Sequence, residues 1–331
     1  ELAEKGKNAC LNWFLNNWND DIPSPTWREI QQLLNPATAI IYWHLSPAAL
    51  TTFILKHDAP EPILVTTPTS ANAEELPTSV QRLRELEHWI ADWNQKYQEY
   101  KQSESKDGPG IGTWRGNLTE KLNNLAIILD VSETVSEIDA NVNHLILIPH
   151  RDLHRFPLHA LFPDQFTTSY LPSAQMHSFS PVEERGSLGE LLSVECRSQE
   201  EISTQIEAAA IAQLFENPTR FADAIATKER VMAALSSGYN IFHFTGHTSD
   251  NFKTPSQSAL TLTDLEQIAL ADICQLSLNS YQLVSLSASE SAIAPNQTIT
   301  TEYVGLASGF LSRGVANVVS SLWTVEANSR A

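Results

Sequence analysis

Tyr239-Asn-Ile-Phe-His-Phe-Thr-Gly-His247 and Leu283-Val-Ser-Leu-Ser-Ala-Ser-Glu-Ser291 decide the reading of this chain. Each is a short apolar run that stops abruptly at small and polar residues. A strand buried on both faces does this when it delivers a side chain into a cleft. The first run delivers His247, the second Ser289 and Glu290. A histidine beside a nucleophile on neighbouring strand ends is the pair that acyl transfer requires, because the imidazole takes the nucleophile's proton during attack.

Strand and helix alternate around these two runs. His144-Leu-Ile-Leu-Ile-Pro149 reads as a buried strand, residues 200–215 and Lys228–Leu235 as helices, and 240–245 as a strand. A helix is expected near 263–275, a strand over 282–287, a helix over 302–313 ended by Gly314, and a last strand from Val315 to Leu322. This order predicts an α/β fold with a largely parallel sheet flanked by helices. Functional residues of such a fold gather at the C-terminal ends of the strands, and His247 and Ser289 are placed just past two of them.

Further upstream, Ala37–His44 and Leu50–Leu55 are β-rich runs joined across Ser46-Pro47 and predict a hairpin. Ser24 or Thr26 reads as the cap of a helix that follows. Residues 76–101 carry Val80, Leu83, Leu86, Ile90 and Trp93 at helical spacing. Residues 114–130 fit another helix, and 1–22 a helical tail of a preceding region. The polar break from Ser103 to Gly112 contains Gly108-Pro-Gly-Ile-Gly112. No strand precedes it and no Lys-Ser/Thr pair follows, so it is a loop and not a phosphate cradle.

The chain has 331 residues, 42% of them hydrophobic and 18% charged, which is ordinary for a globular protein. No apolar stretch reaches the roughly 20 residues that span a bilayer. Three cysteines far apart, Cys10, Cys196 and Cys274, suit a reducing, cytoplasmic setting and not a disulfide framework. A formal net charge of −18 repels phosphate backbones and argues against a nucleic-acid partner, while it suits either a basic protein partner or simple solubility. Seven of the eight tryptophans precede residue 115, where they serve as packing between elements.

Six segments in order resemble one family: Ile241-Phe-His-Phe-Thr-Gly-His247, Ser258-Ala-Leu-Thr-Leu262, Leu286-Ser-Ala-Ser-Glu290, Glu302-Tyr-Val-Gly-Leu306, Phe310-Leu-Ser-Arg-Gly314 and Ser321-Leu-Trp-Thr-Val325. They resemble the CHAT domain of caspase-like, separase-related cysteine proteases, and within it the type found in cyanobacterial heterocyst differentiation. Leu147-Ile-Pro-His-Arg-Asp-Leu-His-Arg-Phe-Pro-Leu-His-Ala-Leu161 and the hairpin at 38–56 fit the same pattern. The resemblance implies a preceding helical region at 1–25, an N-terminal hairpin-and-helix part at 26–140 and a caspase-like core at 141–331 that continues beyond this sequence. It further implies a protein substrate cleaved without metal or cofactor, control by an N-terminal region or partner protein, and a role in regulatory or developmental proteolysis.

Carried over residue by residue, His247 matches the family's catalytic histidine, and Ser289 stands where its Ser-Ala-Cys-Glu-Thr motif has cysteine. Glu290 and Ser291 take the two following places. Thr248 stands where the family usually has glycine, beside Gly246, in a stretch expected to shape the oxyanion pocket. A thiol near pKa 8.5 ionises readily beside histidine; a hydroxyl does not, and in a site shaped for sulfur the exchange predicts a loss of about a thousandfold or more. Two readings of Ser289 stand: an introduced near-isostere that keeps shape, or a natural residue that makes a serine-using variant or a pseudoprotease acting as a binding module. None of the three cysteines replaces it, and Cys274 reads as packing in a helix.

His243 is expected to pack or hydrogen-bond beneath the site. Its spacing to His247 imitates a zinc pair, but that pattern needs a helix and an intervening glutamate. His150, His154 and His159 cluster in sequence, yet Pro149 and Pro157 break any helix that would align them. Glu290 is a solvated or structural carboxylate, or the partner of a basic residue at the cleavage site.

Overall fold

The structure, a computed structural model, describes residues 2–7, 24–32, 34–65, 77–102, 114, 116–179, 189–196, 202–249, 251, 254–290 and 305–322. The chain divides into two compact units, one principally Ser24–Ala174 and the other principally Gln175–Ile293 with Tyr303–Ala331. Residues 2–7 are helical; the rest of the expected N-terminal helix, the loop at 103–112 and Ser291 lie outside the described residues.

In the first unit, helix α1 (Trp27–Gln32) starts at Thr26, whose backbone N–H donates to the Glu29 carboxylate at 2.7 Å. This reciprocal cap is the one its sequence implies. A five-stranded sheet follows the order β3 (Ile63–Leu64), β2 (Leu50–Lys56), β1 (Thr38–Leu45), β4 (His144–Ile148) and β5 (Thr167–Tyr170). β1 and β2 form the expected antiparallel hairpin, closed at Leu45 opposite Leu50, while β4 runs parallel to both β1 and β5. Helix α2 (Thr78–Gln102) buries Leu83, Leu86, Trp89, Ile90 and Trp93. Trp89 and Trp93 stack at 5.1 Å and meet Phe156 edge-on, so these tryptophans do glue elements together. The helix read over 114–130 is α3 (Leu118–Ile128); left-handed Asp130, with φ 50°, separates it from a further helix α4 (Val131–Ser136). His150 has a structural place here: its Nδ1 accepts the Leu45 N–H at 2.7 Å and its ring stacks on His44.

The second unit holds a seven-stranded sheet. Its parallel core runs β7 (Thr219–Ala222), β6 (Leu191–Glu195), β8 (Ile241–Ser249), β11 (Leu283–Glu290) and β12 (Val318–Ser320). Two antiparallel strands, β9 (Ala259–Thr261) and β10 (Gln267–Ala269), extend it beside the end of β8. Helices α5 (Ile202–Ala212) and α6 (Lys228–Leu235) match the sequence expectation closely. α6 is capped by Thr227, whose hydroxyl accepts the Arg230 N–H. Helix α8 (Leu306–Ser312) ends at Gly314, which takes φ +96° where any larger residue would be strained.

Two expectations are corrected here. The segment 263–275 is not one helix: Gln267–Ala269 is captured as a strand by β9, leaving only the short helix α7 (Leu270–Ile273). His247 and Ser289 also lie within strands, not past their ends, because β8 continues to Ser249 and β11 to Glu290. The cause is pairing, since β9 supplies a partner for residues 247–249 after β6 has ended. Among the described residues, no helix is long and apolar enough to cross a membrane.

Candidate active site

β8 changes partner along one edge. Residues 241–245 pair with β6, then His247–Ser249 pair with β9, while β11 holds the other edge over Ile241–Thr248. The changeover falls at Gly246. β6 leaves the sheet after the Cys196 N–H donates to the Thr245 carbonyl at 3.0 Å. A Cβ on residue 246 would sit 2.9 Å from the Cys196 carbonyl oxygen, so this close crossing of two backbones requires glycine.

Paired residues of parallel strands share a face, and successive residues alternate between faces. One face therefore reads, rung by rung, Leu191/Ile241/Leu283, then Ser193/His243/Ser285, then Glu195/Thr245/Ser287, and finally positions 247 and 289. Polarity rises towards the C-terminal ends of the strands. At the lower rung, Leu191 and Ile241 pack with Ala212, Ile211 and Phe215. The opposite face, with Leu192, Val194, Phe242, Phe244, Val284, Leu286 and Ala288, stays apolar and buried.

The top rung brings together the two positions picked from sequence. His247 and Ser289 are Cα partners across β8 and β11, and Thr248 and Glu290 are the next pair. Positions paired across neighbouring strands have Cβ atoms about 5 Å apart, a spacing that an imidazole and a nucleophile can bridge by a hydrogen bond. His247 is half-buried and Thr248 is buried on the alternate parity, so Thr248 does not share the His247 face.

His243 and His247 are on one face but four residues apart in a strand, about 13 Å along it, too far to share a metal ion. His243 is buried, and among the described residues neither ring nitrogen has a hydrogen-bond partner. Burial holds its imidazole below the ordinary range, against an opposing pull from Glu207 and Glu195. Of the two roles the sequence suggests, packing or hydrogen bonding, its burial fits packing.

Two carboxylates and an arginine on this face were not singled out from sequence. Glu195, almost fully buried, receives two bonds from Arg220, at 2.7 and 3.0 Å. Glu207 of α5 reaches the sheet between Thr204 and Ala208, accepts the Thr245 hydroxyl at 3.1 Å and lies 3.9 Å from His243 Nε2. The alternating Leu191-Leu-Ser-Val-Glu195 was the available signal for β6 and its inward glutamate. Glu207 carries no comparable signal in an Ala-rich helix.

Neither described cysteine supplies a substitute nucleophile. Burial pushes the Cys196 and Cys274 thiols up to about 11, which keeps both as unreactive thiols. Cys196 also faces the apolar side, against Gly246. Cys10 lies outside the described residues.

The family model described as the CHAT domain matches residues 118–331, nearly two thirds of the chain. No curated protein matches the chain significantly. Among solved structures, the chain is similar to the Arg-specific cysteine proteinase gingipain R, with 12% identity and a TM-score of 0.42 over 73% of this chain and 61% of that one. It is also similar to the complex of Porphyromonas gingivalis RgpB pro- and mature domains, with 10% identity and a TM-score of 0.37 over 74% of this chain and 62% of that one. The chain thus spans less than two thirds of either solved chain.

Proposed function

Because this chain belongs to the CHAT-domain family, we propose that its second unit is an endopeptidase site in which His247 is the general base and position 289 the nucleophile position. The observation that carries this reading is the pairing of Ser289 with His247 on adjacent parallel strands. In the competent form His247 takes the proton of the residue-289 side chain as that atom bonds to the scissile carbonyl carbon. The C–N bond then breaks, and the departing amine leaves with the proton returned by His247. Water, deprotonated by the same imidazole, hydrolyses the acyl-enzyme and releases the new carboxylate. With serine in the cysteine's place the first step loses its ready thiolate, so the chain as it stands is a weak or silent protease.

The resemblance also supports a regulatory or developmental role in the cytoplasm, of the heterocyst-differentiation type, under control of an N-terminal region or partner. The acidic surface suits a basic protein substrate. The test is a Ser289→Cys chain incubated with a proteome-derived peptide library and read by mass spectrometry. Cleavage that disappears in the Ser289→Cys/His247→Ala double variant supports the assignment. A folded Ser289→Cys chain that cleaves nothing overturns it for this stretch of sequence.

A further inference from the structure

The polar face beneath position 247 holds two carboxylates with unequal surroundings. Glu195 is matched by Arg220 through a bidentate pair. Among the described residues Glu207 is not matched by an arginine or lysine. Its polar partners there are the Thr245 hydroxyl and, at 3.9 Å, the His243 ring. Burial lowers the pKa of that ring, which weakens it as an offset to a carboxylate. The described side chains of β11 on this face are Leu283, Ser285 and Ser287, and β9 contributes Ala259 and Thr261. None of these five titrates.

Thr245 is one rung from His247 on the same face, about 7 Å along the strand. A carboxylate fixed on Thr245 is therefore fixed relative to the base. Acyl transfer places a positive charge on that base as the nucleophile's proton arrives. An unmatched negative group in a buried, poorly screened rung favours that charge.

We propose that Glu207 is a positioning residue for the candidate site, acting through Thr245: it ties α5 to the strand that delivers His247 and sets a compensating negative charge beneath it. This rests on the reading of His247 as the base. The carboxylate touches neither substrate nor nucleophile, and its effect is carried by the strand and by the field.

The test uses the Ser289→Cys chain and two readouts. Glu207→Gln keeps an oxygen that accepts the Thr245 hydroxyl but removes the charge, whereas Glu207→Asp keeps the charge on a shorter arm. Alkylation of the thiol introduced at position 289 by iodoacetamide at neutral pH, which needs no peptide substrate, is expected to slow by about tenfold in Glu207→Gln and by less than about threefold in Glu207→Asp. Where the peptide library is cleaved, kcat should fall with the alkylation rate and KM stay within about twofold. An unchanged alkylation rate in a folded Gln variant overturns the proposal, as does an Asp variant slowed as much as Gln. If Glu207→Gln does not fold, the Asp variant alone decides: a retained rate supports the charge, and a rate lost by tenfold or more overturns it. A chain that alkylates as expected but cleaves nothing would refute the protease reading and leave the Glu207 effect standing.

Discussion

Leu192, Val194, Phe242, Phe244, Val284 and Leu286 line one face of the second sheet, and Ser193, Glu195, His243, Thr245, Ser285 and Ser287 line the other. The same three strands supply both, residue by alternate residue. The apolar face is a core: Phe242 packs against Phe310 of α8 at 6.0 Å, and Phe244 is wholly buried. The polar face becomes more polar towards the strand ends and finishes at the His247/Ser289 pair. Stability is thus concentrated on one side of each strand and the candidate site on the other. Gly246 lies where the apolar parity meets the crossing of β6, one residue before the candidate base.

The comparison breaks most directly at Phe244. Phe244→Ala should cost about 3–5 kcal/mol in chemical denaturation, since a large cavity opens between β8 and its packing partners. A loss below about 1 kcal/mol would mean that this face is not the core it is described to be. Arg220→Ala attacks the other face and should cost about 2 kcal/mol. It strands the buried Glu195 carboxylate, although part of the arginine itself is solvent-exposed at 38%. Adding Glu195→Gln should recover much of that loss, because the unmatched charge is then gone. Without recovery, the pair would be holding geometry and not offsetting charge.

A third effect is set by acid. Burial depresses the His243 imidazole in the folded chain, so on acidification the unfolded chain takes its proton first. The stability tied to His243 is complete above the unfolded value of about 6.5 and is lost as pH falls from there towards the folded value. The slope reaches about 1.4 kcal/mol per pH unit for each such group. His144 and His159 are depressed by burial in the same direction and add to the acid sensitivity. His243→Leu should therefore flatten the fall in stability below about pH 6.5 without abolishing it, as measured by denaturation midpoints across pH. An unchanged slope would place His243 in contact with solvent or a proton acceptor.

The two faces also show what the amino-acid sequence reveals. Runs such as Ile241-Phe-His-Phe-Thr and Leu283-Val-Ser-Leu announce buried parallel strands, because apolar density there exceeds what a half-exposed strand needs. The pairing of His247 with Ser289 follows from two adjacent parallel strands, which the alternation of elements already implies. Other features are set by tertiary contact. β10 looks helical because Gln267–Ala269 has no strand-like apolarity, and only pairing with β9 makes it extended. β7 is a short strand, Thr219–Ala222, with no period to detect. Glu207 meets Thr245 across 38 residues of sequence, by the packing of α5 on the sheet, and no local pattern encodes that contact.

The smallest expected effect tests the polar face where it is least explained. Ser193 is fully buried, shares a rung with His243 and Ser285, and its Oγ has no hydrogen-bond partner among the described residues. A buried hydroxyl without a partner costs desolvation and returns nothing, so Ser193→Ala should be neutral or stabilising by up to about 1 kcal/mol. Thr245→Val, one rung higher, should instead destabilise by about 1 kcal/mol, since it removes the hydroxyl bonded to Glu207. Opposite signs at these neighbouring rungs would place the onset of useful polarity between them, at the level where Glu207 of α5 bonds Thr245. If Ser193→Ala destabilised as much as Thr245→Val, the working part of the polar face would begin a full rung deeper, with His243 inside it.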